Sequence, residues 1–274
     1  MKATGKRVWR RVVSFALAAV LMATAFAVTV PEEVQAAEKK FKSTGKTTLT
    51  ITDSERYYDD DLKPVGKVTW IKYTATKNGF LKVTAANSAK SDYSYALGEW
   101  RLYNKTKKKA LSPNYVYKGN YSSAFYTTDY FGVKKGTTYY LQVKPACGVK
   151  LTASFTAVTD KSGSKQGSAL NLQRNKKTNG LITAGSKAAH WYKYTLSSPQ
   201  LLKVYFSPYL TNDVEITIFG PGVQTMKKVV SMTSQTWARE ISYTTKENVR
   251  AGTYYIAIRP VSTTCTGYYK IKWN

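Results

Sequence analysis

Histidine occurs once and cysteine twice in these 274 residues, and that scarcity excludes several chemistries. A zinc site built on His190 would lack a second imidazole. A Ser-His-Asp or Cys-His device would need His190 to meet a nucleophile and an orienting acid, and no nucleophile-elbow motif is written in the chain. We therefore expect His190 to be a solvent-facing residue at a strand end. Cys147 and Cys265 each follow a strand that ends in proline. They read either as one bridge between the two halves of the chain or as two buried thiols that act as small apolar side chains.

Acidic residues are also few, 16 against 42 basic ones. Such a field gathers anionic partners and repels cationic ones. Long apolar runs are limited to Val12–Val30, which follows a basic head of Lys2, Lys6, Arg7, Arg10 and Arg11 and precedes the small-residue site Val34-Gln35-Ala36. That order reads as a signal peptide over 1–36, removed on export. What remains has 37 basic and 14 acidic residues, a net charge of +23. The expected location is secreted or associated with the cell surface, with no stable membrane span after cleavage. In that setting teichoic acids or acidic polysaccharides are expected partners, and nucleic acid is not.

Helical periodicity is absent after the leader, whereas period-two alternation is frequent. "WIKYTATKNGFLKVTA" at 70–85 returns as "WYKYTLSSPQLLKVYF" at 191–206, identical at seven of sixteen positions at an offset of 121. "VKKGTTYYLQVKP" at 133–145 returns as "VRAGTYYIAIRP" at 249–260, and Trp100–Tyr103 aligns with Ile216–Phe219. A nearly constant offset over this length is the mark of a duplication. We expect two domains of ordinary size, 41–159 and 168–274, joined by a Ser/Gly/Lys-rich linker at 160–167.

Within each copy the alternation separates an inner from an outer side. Ile71, Tyr73 and Ala75, and then Leu81, Val83 and Ala85, fall on inner sides, as do Tyr192, Tyr194 and Leu196 and then Leu202, Val204 and Phe206. The turns "TKNG" and "SSPQ" between these strands suggest a hairpin in each copy. The expected fold is all-β, with two tandem antiparallel β-sandwich domains of jelly-roll type.

The order "GLITAGSKAAHWYKYTL", "LLKVYF", "ITIFGPG", "VRAGTYYIAIRP" and "GYYKIKW" in 180–273 resembles the bacterial pre-peptidase C-terminal domains. These are β-sandwich modules found beside secreted enzymes, and they include collagen-binding modules of clostridial collagenases. The first copy resembles them less closely. The resemblance implies a sandwich fold more than an activity; with no catalytic set evident in the chain we expect a non-catalytic binding module, with collagen or another extracellular matrix protein as an alternative partner. Family members commonly carry acidic residues just before the "WYKYTL"-like strand, where this chain has Lys187, Ala188, Ala189 and His190. A calcium role is therefore not carried onto the second copy.

Two sets of residues are candidates for binding. "DSERYYDDD" holds Asp53, Glu55, Asp59, Asp60 and Asp61, hard oxygen donors suited to calcium, although without EF-hand spacing. No other cofactor is expected. On the outer sides of the strands lie Lys72, Lys82, Lys144 and Tyr140 in one copy and Lys193, Lys203, Arg259 and Tyr255 in the other. Cations with interleaved aromatic rings suit an anionic cell-wall polymer or glycan. A small hydrolase relying on paired carboxylates is the remaining alternative.

Overall fold

Aromatic and β-branched residues in alternation fit a pleated, half-buried surface, and these segments are extended strands in the computed structural model, which describes residues 38–51, 68–87, 96–119, 126–145, 149–232 and 239–274. In the first copy the strands are β1 (Lys39–Lys40), β2 (Lys46–Ile51), β3 (Thr69–Thr74), β4 (Gly79–Asn87), β5 (Ala96–Tyr103), β6 (Tyr115–Gly119), β7 (Tyr126–Val133), β8 (Thr138–Pro145) and β9 (Val149–Ala157). The second copy holds β10 (Leu170–Asn171), β11 (Thr178–Ile182), β12 (His190–Leu196), β13 (Lys203–Leu210), β14 (Val214–Gly220), β15 (Val223–Val230), β16 (Ile241–Thr244), β17 (Gly252–Pro260) and β18 (Gly267–Trp273). The leader at 1–36, Cys147 and the acidic stretch at 53–61 lie outside the described residues.

The duplication is repeated in the strand order. A five-stranded sheet β1-β3-β8-β5-β6 has its counterpart in β10-β12-β17-β14-β15, and a four-stranded sheet β2-β9-β4-β7 has its counterpart in β11-β18-β13-β16. Each pair of sheets encloses one core. Tyr73, Trp100, Tyr139 and Leu141 meet Leu81, Val83, Phe131 and Leu151 in the first, and Tyr192, Tyr194, Tyr254 and Ile256 meet Val204, Phe206, Tyr269 and Ile271 in the second. The molecule is thus all-β, with two β-sandwiches. Pairing is antiparallel except for the two-residue contacts of β1 with β3 and of β10 with β12, which are parallel.

The expected hairpins do not form. β3 pairs with β1 and β8, while β4 pairs with β7 and β9 in the facing sheet, and β12 and β13 are separated in the same way. "TKNG" and "SSPQ" therefore arch across the core. A hairpin and an arch need the same alternation and the same turn residues. The arch prevails because each strand finds its long antiparallel partners far away in sequence, and its inner side closes the core from the opposite face.

The two sandwiches are joined by a built contact. Ala184 N donates to Gly132 O at 2.8 Å, Gly132 N donates to Thr266 Oγ1 at 2.9 Å, and Tyr115 Oη donates to Thr211 O at 2.6 Å. Phe80 stacks on Tyr268 with ring centroids 4.1 Å apart, and Val158, Leu181 and Tyr130 complete the cluster. The segment read as a linker is also held. Gly163 exchanges two backbone hydrogen bonds with Trp191, and Asp160 accepts from Ser162 N and Leu181 N, both at 2.8 Å.

Candidate ligand-binding faces

A strand in a sandwich presents its alternate residues to solvent, so each sheet has one outer face. On the five-stranded sheets the duplicated register places the same residue types together. Lys72 lies opposite Tyr140, and Tyr140 lies opposite Tyr103; likewise Lys193 lies opposite Tyr255, and Tyr255 opposite Phe219. Trp70 and Trp191 complete an aromatic trio in each copy. Trp70 meets Tyr103 edge-on at 5.2 Å and Tyr140 at 6.4 Å; Trp191 meets Phe219 edge-on at 6.0 Å, and Phe219 stacks on Tyr255 at 5.6 Å. Lys144 and Arg259 sit in register with Glu99 and Glu215.

The two trios differ in cover. In the first copy the β5–β6 connection is long, and its turn is tied by Asn104 Oδ1, which accepts from Thr106 Oγ1, Lys108 N and Lys109 N. Lys107, at φ 60°, is placed with Nζ 5.3 Å from the Trp70 ring and 4.6 Å from the Tyr140 ring, and 3.5 Å from Glu38. Tyr140, expected to be open to a ligand, is consequently only 8% exposed, and Trp70 only 6%. In the second copy a short Pro221-Gly222 turn joins β14 to β15, and Trp191, Phe219 and Tyr255 all remain partly exposed. Arg259 lies over Trp191 with Cζ 5.8 Å from the ring.

Lys82 and Lys203 belong to the other layer. They stand on the outer faces of the four-stranded sheets, together with Lys46, Lys150, Lys270 and Lys272. Their neighbours there are hydroxyls and rings. Thr48 pairs with Thr152 and Thr84 with Thr128 through side-chain hydrogen bonds of 3.3 and 3.0 Å. Lys272 Nζ is 4.2 Å from the Tyr205 ring, Lys270 Nζ is 6.0 Å from Tyr209, and Lys82 Nζ is 5.9 Å from Tyr130. The stack of Tyr209 on Tyr268 at 4.4 Å continues through Phe80 and Tyr130, so the two outer faces meet across the joint. Among the described outward strand positions of both four-stranded sheets there is no Asp or Glu; Asp129 of β7 points into the core, where Trp100 Nε1 donates to it.

The sequence-predicted set thus divides between two layers. Lys72, Tyr140 and Lys144, and Lys193, Tyr255 and Arg259, go to the five-stranded faces, while Lys82 and Lys203 go to the four-stranded ones. Tyr268, Lys270 and Lys272 were not in that set, although the alternation of "GYYKIKW" is a signal that places them outward. The trios had no such signal, since each assembles from three strands.

His190 is not solvent-facing. It is 8% exposed, with Nδ1 2.8 Å from Tyr269 Oη and 3.3 Å from Asp160 Oδ2. The segment 160–163, folded back over the start of β12, covers it. Burial holds its pKa below the usual histidine value, against the opposing pull of Asp160. Cys265 is a free, buried thiol whose Sγ lies 3.2 Å from Asn212 O, and burial pushes its pKa up to about 12. It has none of the thiolate character of a nucleophile. No helix among the described residues is long and apolar enough to cross a membrane.

No family model matches this chain, and no curated protein matches it. Solved structures with some likeness include the pre-peptidase C-terminal domain of a collagenase from Bacillus anthracis, at TM-score 0.27 and 9% identity over 43% of this chain and 94% of that one. The tandem CBM22 domains of Xyn10C from Paenibacillus barcinonensis give TM-score 0.27 and 9% identity over 83% and 89% of the two chains. The PBSX exported protein XepA gives TM-score 0.22 and 14% identity over 85% and 87%. At these scores the assignment of the fold rests on strand order and register.

Proposed function

We propose that the protein is a non-catalytic binding module, secreted or held at the cell surface, for an anionic cell-wall or extracellular polymer. The supporting observation is the joined outer surface of the four-stranded sheets. Lys46, Lys82, Lys150, Lys203, Lys270 and Lys272 stand there among threonines and tyrosines, with no carboxylate on the described outward strand positions. A single-sign surface of this extent attracts polyanions and offers cationic partners nothing. Hydroxyls and tyrosine rings add short-range contacts for a chain of polar repeating units. The buried, unreactive Cys265 and the covered His190 favour binding over catalysis.

Retention of the full chain on purified teichoic acid, measured as salt is raised, tests this reading. Retention should fall steeply beyond physiological strength, where the Debye length is about 8 Å. Changing Lys82, Lys203, Lys270 and Lys272 to Gln should weaken it far more than changing Lys105, Lys108, Lys134 and Lys135. Equal weakening would reduce the effect to diffuse charge and remove the proposed face.

A further inference from the structure

From the unequal cover of the two aromatic trios we infer that Trp191, Phe219 and Tyr255, with Arg259, form a site for one acidic sugar residue, and that Lys107 closes the equivalent site in the first copy. This inference rests on the reading of the chain as a polymer-binding module, but it concerns a different sheet from the lysine surface.

The first copy shows what the trio can accommodate. There the ammonium of Lys107 lies over Trp70 and Tyr140, an arrangement in which ring faces attract positive charge. Glu38 pairs with the ammonium at 3.5 Å. A pocket filled by the chain itself has no room for a ligand.

The second copy keeps the trio and loses the cover, because Pro221-Gly222 replaces the long turn. The backbone there is tightly set. Gly222 has φ +72°, and Tyr254 Oη lies 2.6 Å from both Pro221 O and Arg250 O, with its one proton donated to one of these two carbonyls. The turn is therefore held away from the rings. Phe219 and Tyr255, stacked at 21°, stand beside the edge-on Trp191, and all three rings are partly exposed. At its rim stand Arg259, exposed and drawn over Trp191, and Lys193, opposite Tyr255. The apolar C–H face of a pyranose ring matches the rings. A carboxylate on that sugar matches the planar fork of Arg259, which suits bidentate pairing with a carboxylate. Charge complementarity thus commits the site to a uronic acid residue rather than a neutral sugar or an amine.

A galacturonic acid tetramer and a neutral tetrasaccharide serve as probes, titrated into the full chain by calorimetry. The wild type should bind one uronate tetramer per chain and bind the neutral one more weakly. Trp191→Ala and Tyr255→Ala should each weaken uronate binding about tenfold. Arg259→Gln alters an exposed side chain and should abolish the preference for the charged tetramer even if the aromatic variants fail to fold. Lys107→Gly, tolerated at that positive φ, should raise the stoichiometry to two. Unchanged uronate affinity in a stably folded Trp191→Ala, or a preference that survives Arg259→Gln, overturns the site. Stoichiometry that stays at one in Lys107→Gly overturns the closure of the first copy. A wild type that ignores the tetramer yet is retained on teichoic acid defeats this inference alone, and the reverse result defeats the polymer-binding surface alone.

Discussion

Substituting Gly132 with alanine tests the joint between the sandwiches where it is tightest. A Cβ there would come within 2.0 Å of Ile182 O and 2.8 Å of Gly267 O, both backbone atoms of the second sandwich. No side-chain rotation relieves such contacts, so the two halves must move apart. Overpacking of this kind costs about 1–3 kcal/mol. Separation also breaks the hydrogen bonds of Gly132 with Ala184 N and Thr266 Oγ1, at about 1 kcal/mol each. The total is about 3–5 kcal/mol, which for a chain of this size lowers Tm by about 10 °C. Gly167→Ala is the control, since its added Cβ would have no atom within 4 Å. Thermal melts of the full-length variants decide the matter. If Gly132→Ala melts within about 2 °C of the wild type, the contact is not the tight joint described and the reasoning fails.

The remaining predictions concern pH, boundaries and metal. Because burial lowers the His190 pKa in the folded state, its contribution to stability is complete above the unfolded value and is lost as pH falls below about 6.5; melts of His190→Gln at pH 5 and 7.5 should differ less than those of the wild type. Asp129 has the opposite sign, since burial, against the donated Trp100 hydrogen bond, pushes its pKa up to about 7. Its contribution is complete at acid pH and declines as pH rises toward 7, so Asp129→Asn should raise Tm at pH 8 more than at pH 4, and an equal change at both would refute this. We propose that the two copies are separate domains, and a fragment of 158–274 should then fold alone and melt higher than 168–274, which lacks Asp160 and Gly163; failure of both fragments to fold would defeat the two-domain proposal. Calcium held by Asp53, Glu55, Asp59, Asp60 and Asp61 would make Tm fall on chelation through linkage, and identical melts with calcium and with chelator would dismiss that role.

Alternation read from the sequence identified the inner sides correctly, because burial depends on local period and both copies obey it. Ile71, Tyr73, Leu81 and Val83, and Tyr192, Tyr194, Val204 and Phe206, all lie in the two cores. Partner choice was not legible in the same way. Lys72 and Lys82 look equivalent in "WIKYTATKNGFLKVTA", yet the arch sends them to opposite faces of the sandwich.

By itself, then, the sequence determined the all-β class, the duplication and the side of each strand that is buried, since these follow from residue type and period within a few residues. Tertiary structure alone decided which outward residues share a face, which aromatic trio is open and why His190 is covered. Each of those depends on strands or turns distant in sequence coming together: the arch between sheets, the lysine-bearing turn folded over Trp70, and the 160–163 segment laid across β12. Such contacts are set by which surfaces close the cores, and no local pattern records that.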